Sequence, residues 1–292
     1  MSKPTICGFT MVRNAVKYDY PIVESIKSIL PIVDAYMVAV GNSDDETLEL
    51  IKGINSPKIK IIQTVWDDSL REGGQVLAVE TNKAFDAISA SFDWCFYLQG
   101  DEVVHEKYHE TILAACAKYQ TQKEVEGLLF GYTHFYGSYD FVGDSRTWYR
   151  NEIRIIKNDK NIRSYKDAQG FRKNGEKLQV KAIDAQIYHY GWVRDPRFQQ
   201  AKQESFNKLW HSDDYVEQHV AKANEFDYKT IDSLTKFTGT HPAIMQQRLQ
   251  RMNWDFTWDT HNKKFALKEG FLYWFEKITG KRLFEYKNYK VI

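Results

Sequence analysis

Residues 93–102 read DWCFYLQGDE and join an apolar run directly to two carboxylates. The aromatic and aliphatic run from Trp94 to Leu98, which contains no proline, predicts a strand buried on both faces of a parallel sheet. Ligands of open α/β sheets bind beyond the carboxyl ends of the strands, where Asp101 and Glu102 lie. Two acids after a glycine suit a divalent cation with oxygen ligands, and a solvated turn is the alternative interpretation.

Strand and helix patterns alternate around this segment. Apolar runs predict further strands at residues 5–12, 34–40 and 58–65. Helical patterns lie between the strands, at residues 21–33, 48–51 and 74–88. Because strands and helices alternate through residue 118, we expect an α/β fold with a doubly wound, mostly parallel central sheet.

The pattern changes after residue 125. Strands are predicted at 125–136, 152–157 and 178–190, with a loop rich in glycine and aromatic residues at 136–148. After Pro196 the patterns become helical, at 198–211, 243–252 and 265–279. We therefore expect one domain at residues 1–195 and a C-terminal helical extension at 196–292.

The overall charge excludes one class of partner. The chain has 292 residues with 40 basic and 39 acidic side chains and a net charge of +1, and no basic stripe stands out, so nucleic-acid binding is disfavoured.

Three cysteines without metal-like spacing indicate a reducing compartment. No signal peptide or long apolar run precedes the first strand, so we expect a soluble, cytoplasmic protein.

The last predicted helix has an apolar stripe formed by Phe271, Leu272, Phe275 and Ile278. Such a stripe packs on the protein's own core or on a second subunit of a homodimer. Basic residues follow closely, including Arg282 and Lys287. They leave open a peripheral contact with the inner face of a membrane.

Four short motifs occur in a fixed order. Residues 6–14 form a strand that ends in Arg13-Asn14, residues 41–47 read GNSDDET, residues 81–82 read TN, and residues 98–102 read LQGDE. In this order and spacing they resemble the "vRN", "dgStDgT", "rN" and "lDaDE" motifs of the family 2 glycosyltransferases. That family has a GT-A fold and uses nucleotide-sugar donors. The resemblance covers about residues 5–194.

The resemblance implies roles for particular residues. Residues 1–120 would bind the nucleotide and residues 121–195 the acceptor. Asp101 would hold Mn²⁺ or Mg²⁺ on the diphosphate, and His189, at a strand end, would be a second ligand. The residues expected to contact the donor substrate are Thr10, Arg13, Asn14, Asn42, Ser43, Asp45, Gln99 and Glu102.

Transfer to a hydroxyl also needs a general base. In the family this carboxylate follows the middle of the sheet, which implies Asp167 here, with Asp184, Glu152 and Asp144 as alternatives. The implied reaction is metal-dependent and inverting. Its implied acceptor is a cell-surface glycan, a lipopolysaccharide precursor or another lipid-linked glycan.

The sequence departs from the family at two places. Val40 and Gly41 stand where the family has acids, one of which contacts uracil, so the donor base differs or is bound by backbone groups. Gln99 replaces the first aspartate of the metal motif, although its amide can also hydrogen-bond a ribose hydroxyl. These changes leave open a non-catalytic module that binds a nucleotide or a glycan.

A rival motif overlaps the same region. Residues 105–109 read HEKYH and match H-E-x-x-H, which on a helix presents two histidines to Zn²⁺ in a hydrolase. Glu124 or Glu126 would then be the third ligand. The charged Lys107 counts against this interpretation, because metalloproteases keep that position uncharged.

Overall fold

A computed structural model describes residues 3–70, 73–211, 213–219 and 223–292. The first half contains β1 (Ile6–Val12), α1 (Ile22–Ile29), β2 (Ala35–Gly41), α2 (Thr47–Lys52), β3 (Ile59–Thr64), α3 (Gln75–Asp86) and β4 (Trp94–Tyr97). The middle contains β5 (Glu102–Val104), α4 (His109–Tyr119), β6 (Gly127–Tyr136), β7 (Ser138–Gly143), β8 (Asn151–Lys157), β9 (Ile162–Tyr165), β10 (Gly170–Lys173), β11 (Glu176–Lys177) and β12 (Gln179–Trp192). The last part contains α5 (Pro196–Asn207), α6 (Asp213–His219), β13 (Leu234–Lys236), α7 (Gln246–Arg251), α8 (Leu267–Thr279) and β14 (Lys290–Val291).

One large sheet organises the molecule. Strands β3, β2, β1 and β4 lie side by side in that order, and each neighbouring pair is parallel. Strand β8 continues the sheet antiparallel to β4, and β6, β7 and β13 follow. The predicted α/β class with a large central sheet is confirmed. Its parallel core is the first half, and antiparallel pairs extend it.

Helices cover both faces of the parallel strands. Ile6 of β1 packs with Ile22 and Ile26 of α1 in one apolar cluster. The neighbouring residue Cys7 points to the opposite face and packs with Phe85 of α3 in a second cluster. Successive strand residues point to opposite faces, so β1 is buried from both sides, as its continuous apolar sequence predicts.

Strand β12 joins the sheet by pairing with two strands, β6 and β5. It runs parallel to β6 and antiparallel to the short β5, which follows directly after Asp101. This pairing connects the turn after β4 to the second half of the chain. A separate sheet of three strands, β9, β10 and β11, lies beside the large one.

The structure corrects two predictions in the second half. Strand β7 occupies part of the loop predicted at 136–148, because Gly137, at φ +73°, allows a tight turn after β6. The C-terminal region is also not purely helical, since β13 pairs with β7 and β14 with β12. The boundary at residue 195 stays a prediction.

Helices of the described segments lack the combination of length and apolar character that a membrane crossing needs. The thiols of Cys7, Cys95 and Cys116 are free and buried.

Candidate active site

A cavity of about 520 Å³ opens at the carboxyl ends of β1 and β4. Helix α5 closes one side of it with Lys202 and Phe206. Six of the residues predicted from the sequence line this one cavity, namely Arg13, Asn14, Gln99, Asp101, Asp167 and His189. The fold therefore brings together side chains that lie far apart in the sequence, at the sheet edge where ligands are expected.

The turn after β4 presents Asp101 to the cavity. Strand β4 ends at Tyr97, and the chain reverses through Gln99 and Gly100 before it returns as β5. The amide of Glu102 donates to the carbonyl of Gln99 over 3.0 Å, and the carbonyl of Asp101 accepts from the amide of Tyr190 over 2.8 Å. The turn is thus closed by a hydrogen bond of its own and tied by a second one to β12, which holds the Asp101 carboxylate in place.

Strand register places two histidines beside this turn. His189 of β12 lies opposite Glu102 of β5 and, on its other side, opposite His134 of β6. His189 Nε2 is 3.8 Å from Asp101 Oδ1. A shift of one residue would turn these side chains to the other face, so the register of β12 fixes the pair formed by Asp101 and His189.

The hydrogen-bond partners favour one tautomer for each of the two rings. His134 Nε2 lies 2.9 Å from the carbonyl of Tyr149, which only accepts, so this nitrogen carries a hydrogen. Burial lowers the pKa of His134 well below its usual value, so the ring is neutral and its Nδ1 accepts. The donor to it is His189 Nδ1, 3.1 Å away. Burial also lowers the pKa of His189, so in this tautomer His189 Nε2 carries a lone pair, 3.8 Å from Asp101 Oδ1.

This arrangement fits a divalent cation. Two acceptors, His189 Nε2 and Asp101 Oδ1, face each other with no hydrogen between them, and a cation ligated by both would resolve the repulsion. A carboxylate and an imidazole are ligands that Mn²⁺ and related ions accept, and phosphate oxygens commonly complete such sites. The described residues hold no group of three His, Cys, Asp or Glu side chains that would bind a metal by themselves. The substrate would therefore have to supply ligands.

A buried ammonium group also contacts the same carboxylate. Lys202 Nζ lies 3.2 Å from Asp101 Oδ2 and 3.0 Å from the carbonyl of Gly191. Burial alone would raise the pKa of Asp101, but Lys202, together with other nearby positive groups such as Arg194, outweighs burial and holds this pKa well below its usual range. Burial lowers the pKa of Lys202 to about 8. The carboxylate thus stays ionised, with Lys202 on one oxygen and His189 near the other.

Asp167 lies in a strained turn on the cavity wall. The residues on either side of it, Lys166 and Ala168, have φ of 53° and 60°, values that residues with a side chain seldom adopt. A Cβ atom on Gly74 would lie 3.1 Å from Asp167 Cβ, so the start of α3 packs closely on this turn. Burial raises the pKa of Asp167. A half-buried carboxyl between two strained residues at a cavity is a candidate for a catalytic base.

The far end of the cavity is aromatic and basic. Arg13 lies over the ring of Trp66, 5.6 Å from its centroid, and bonds Asp68 over 2.7 Å. A Cβ atom on Gly41 would come within 2.3 Å of the indole nitrogen of Trp66, so this glycine makes room for the ring. Trp66 therefore packs against one of the two positions at which the sequence departs from the glycosyltransferase motifs that it resembles.

Five predicted contacts do not line the cavity: Thr10, Asn42, Ser43, Asp45 and Glu102. The loop residues among them bind other protein groups. Asn42 accepts from the amide of Trp66 and Ser43 from that of Asn14. Asp45 accepts from Thr47 and from the amide of Lys17. Their hydrogen bonds shape the walls, and we leave all five out of the proposed binding site.

Glu102 has a structural partner. Its carboxylate accepts two hydrogen bonds from Arg154, over 2.8 and 2.7 Å, and both side chains are fully buried. It also accepts from the hydroxyl of Tyr132 over 2.8 Å and from the amide of Gln99 over 3.1 Å. Glu102 thus fixes the turn that presents Asp101 instead of contacting substrate.

We expect Arg154→Met to lower the free energy of unfolding by about 3–5 kcal/mol, because Glu102 would remain buried without its counter-charge. Denaturant titration followed by circular dichroism measures this. Arg163→Met is the matched control, since Arg163 pairs with Asp86 at the surface. There we expect a loss of about 1 kcal/mol or less. Equal losses in the two variants would contradict the structural role of the buried pair.

The alternative bases lie elsewhere. Asp184 is exposed on β12, outside both cavities described here. Asp144 is bound by Lys263, Tyr273 and Ser233 away from the cavity. Glu152 is buried, and burial raises its pKa to about 7. It lines a second cavity and not the first.

The predicted zinc motif does not assemble. His105 precedes a single turn of 3-10 helix, and α4 begins only at His109. His105 Nε2 bonds the hydroxyl of Thr240 over 2.9 Å, whereas His109 Nε2 bonds the carbonyl of Ser28 over 2.7 Å. Because the rings have different partners and do not share one helical face, the hydrolase interpretation loses its basis.

A second cavity of about 760 Å³ adjoins the first. Tyr149, Asp167 and Gln169 line both, so Asp167 stands on the wall between them. The second cavity is bordered by aromatic and polar side chains, among them Trp148 and Tyr286. Aromatic faces combined with hydrogen-bonding groups suit a sugar ring.

The comparisons with known proteins give structural likenesses only. No protein-family model and no curated protein matches the chain. S. aureus TarS in complex with UDP is similar at 14% identity, with 75% of this chain and 67% of that chain covered and a TM-score of 0.39. Glucosyl-3-phosphoglycerate synthase from Mycobacterium tuberculosis, with Mn²⁺ and UDP-glucose, is similar at 14% identity over 45% of this chain and 44% of that chain, with a TM-score of 0.30.

A longer TarS structure is also similar, at 14% identity and a TM-score of 0.38, and this chain spans 38% of its length. These TM-scores lie below 0.5, so the ligands of those proteins are not transferred to this chain by likeness alone. TarS and glucosyl-3-phosphoglycerate synthase are GT-A glycosyltransferases, the kind of protein that the sequence itself resembles.

Proposed function

We propose that the protein is a glycosyltransferase that moves a sugar from a nucleoside diphosphate to an acceptor hydroxyl. The observation that carries this proposal is the joint placement of Asp101, His189 and Asp167 on one cavity at the carboxyl ends of β1 and β4. A cation-binding pair and a separate carboxyl base are the two groups that such a transfer requires.

The donor would lie along the cavity with its diphosphate near Asp101. Asp101 and His189 would hold Mn²⁺ or Mg²⁺ there, and the ammonium group of Lys202 would contact phosphate oxygens. When bound, the cation offsets the negative charge that develops on the departing diphosphate. The nucleoside would extend toward Trp66 and Arg13, whose ring and guanidinium can stack on a base.

The reaction would be a single displacement that inverts the anomeric carbon. The acceptor oxygen forms a bond to that carbon while the bond between carbon and phosphate oxygen breaks, and the nucleoside diphosphate leaves with the bonding electrons. Asp167 takes the proton of the acceptor hydroxyl. Its place between the two cavities supports this role, because donor and acceptor must approach it from opposite sides.

The acceptor would occupy the second cavity, where aromatic and polar side chains suit a glycan, either free or lipid-linked. Glu152 lies on this cavity with one carboxyl oxygen that has no hydrogen-bond partner among the described residues. Burial raises its pKa to about 7, so near neutral pH it can donate to or accept from an acceptor hydroxyl.

Thermal unfolding with a panel of nucleotides tests the proposal. UDP, GDP, CDP and dTDP are each added with and without Mn²⁺, and we expect one of them with Mn²⁺ to raise the melting temperature by about 5 °C or more at 100-fold over its Kd. The rise should need the metal, because the protein offers two ligands and the diphosphate must supply the others.

Nucleosides without phosphates serve as the control and should give no metal-dependent rise. If no diphosphate shifts the melting temperature in the presence of Mn²⁺ or Mg²⁺, the proposal is wrong. If one diphosphate binds with metal but its sugar is neither transferred nor hydrolysed, the protein is the non-catalytic module that the changes at Val40 and Gln99 leave open.

A further inference from the structure

Helix α8 exposes large apolar side chains on its outer face. Leu267, Phe271, Trp274 and Ile278 are 97%, 66%, 56% and 81% exposed, and their spacing of four, three and four residues places them on one side of the helix. Tyr273, on the opposite side, is buried. Of the stripe predicted to pack on the core or on a second subunit, Phe271 and Ile278 therefore face outward, whereas Leu272 and Phe275 are partly buried.

Two more large apolar side chains are exposed after the helix. Phe284 and Tyr286 are 89% and 74% exposed in the segment that leads to β14. We call the six exposed side chains of this C-terminal segment the C-terminal apolar face: Leu267, Phe271, Trp274, Ile278, Phe284 and Tyr286. Large apolar side chains exposed in such number indicate an interaction site for a protein or a membrane.

Positive charge surrounds this face. Residues 263–292 contain eight Lys and Arg against three Glu, whereas the whole chain has a net charge of only +1. Helical geometry places Lys268 and Lys277 on either side of the apolar stripe. Glu276 is bound by Arg146 over 2.9 Å and Glu285 by Arg150 over 3.2 Å, whereas Lys263 and Lys277 pair with Asp144 over 3.1 and 3.6 Å. The positive surplus of the segment therefore lies on other exposed lysines, among them Lys268 and Lys281.

We propose that the C-terminal apolar face binds the surface of an anionic membrane, with α8 lying in the plane of the interface. Lysines beside an apolar stripe reach back to lipid phosphates, and Trp and Tyr favour the headgroup region. A second copy of the chain fits less well, because a symmetric contact would bring the same lysines against each other.

This orientation would place the second cavity at the membrane. Phe284 and Tyr286 belong to the C-terminal apolar face and also line that cavity. The acceptor would then be a glycan carried on a lipid, which presents its hydroxyl at the headgroup level. This assignment of the acceptor rests on the proposed function, whereas the membrane contact does not.

Co-sedimentation with vesicles tests the contact. The chain is mixed with vesicles of phosphatidylcholine alone or of equal parts phosphatidylcholine and phosphatidylglycerol. We expect binding to the anionic vesicles, and a fall in partitioning of about tenfold or more for Leu267→Ser/Ile278→Ser, which removes two exposed apolar groups. Lys268→Glu/Lys281→Glu should weaken binding to anionic vesicles and leave the weak binding to neutral ones unchanged.

Val65→Ser is the matched control, since Val65 is 72% exposed away from α8, and it should bind as the unchanged chain does. Unchanged melting temperatures would show that each variant is folded. Lack of binding to anionic vesicles, or equal binding by Leu267→Ser/Ile278→Ser, overturns the proposal, and so does a dimer that this double variant abolishes. The nucleotide panel is read without vesicles, so failure here leaves the transferase proposal standing.

Discussion

Asp101→Asn is expected to lower sugar transfer by about 10³-fold or more, since it removes the charged ligand at the diphosphate. Asparagine keeps the size of the aspartate side chain and one acceptor oxygen. A loss of transfer activity would therefore result from the lost negative charge and not from a changed shape. Initial rates of nucleoside diphosphate release, measured with the donor that the thermal panel identifies, give the effect. Electron paramagnetic resonance of Mn²⁺ with that diphosphate gives a second readout, and we expect the bound signal to disappear.

The same change also removes the partner of a buried ammonium group. Lys202 and Asp101 have side-chain exposures of 12% and 11%, so Asp101→Asn leaves Lys202 with its charge largely uncompensated. We therefore expect a lower melting temperature for Asp101→Asn and a partial recovery in Asp101→Asn/Lys202→Met. Transfer should stay lost in both. Recovery of transfer in the double variant would mean that instability and not metal binding explains the loss.

Asp44→Asn provides the matched control for activity. Asp44 also lines the cavity, but it is exposed and pairs with Lys17 at the surface. We expect its replacement to change transfer by no more than a few-fold. If Asp101→Asn behaves like Asp44→Asn, then Asp101 is not the metal ligand.

Local pattern was enough to predict the parallel half of the sheet. The run from Trp94 to Leu98 is a buried strand because both of its faces are covered, and its acids lie at the edge where the cavity opens. Arg13 and Asn14 follow β1 in the same way. Such residues can be predicted because their position depends on the end of one strand and not on distant pairing.

Local sequence pattern does not predict the residues that reach the site through distant contacts. His134 meets His189 only because β6 and β12 pair in parallel across 55 residues, and an isolated histidine in an apolar strand does not indicate this. Lys202 is one of two lysines on the helix predicted at residues 198–211, and it contacts Asp101 across 101 residues. Glu102 is the opposite case, in which adjacency in the sequence suggests a site residue that the fold does not provide. It follows Asp101 directly but faces Arg154 in the core.

Asp167→Asn is expected to lower kcat by about 10²–10⁴-fold, the usual contribution of a general base, while KM for the donor changes little. The metal-dependent rise in melting temperature with the nucleoside diphosphate should persist, because Asp101 and His189 remain. Asp184→Asn is the matched control: Asp184 is exposed outside both cavities and should retain full activity. Loss of activity in Asp184→Asn, or its retention in Asp167→Asn, would contradict the assignment.

The pH dependence of kcat gives an independent test of Asp167 as the general base. Burial raises the pKa of Asp167, so kcat should fall as pH decreases through a value above that of an ordinary aspartate, and this limb should vanish in Asp167→Asn. A carboxyl whose pKa is raised by folding favours the folded state below its unfolded pKa, and that contribution is lost as pH rises through the folded pKa. At neutral pH Asp167→Asn should therefore be at least as stable as the unchanged chain. Loss of activity with retained or greater stability would distinguish this base from Asp101, whose replacement lowers both.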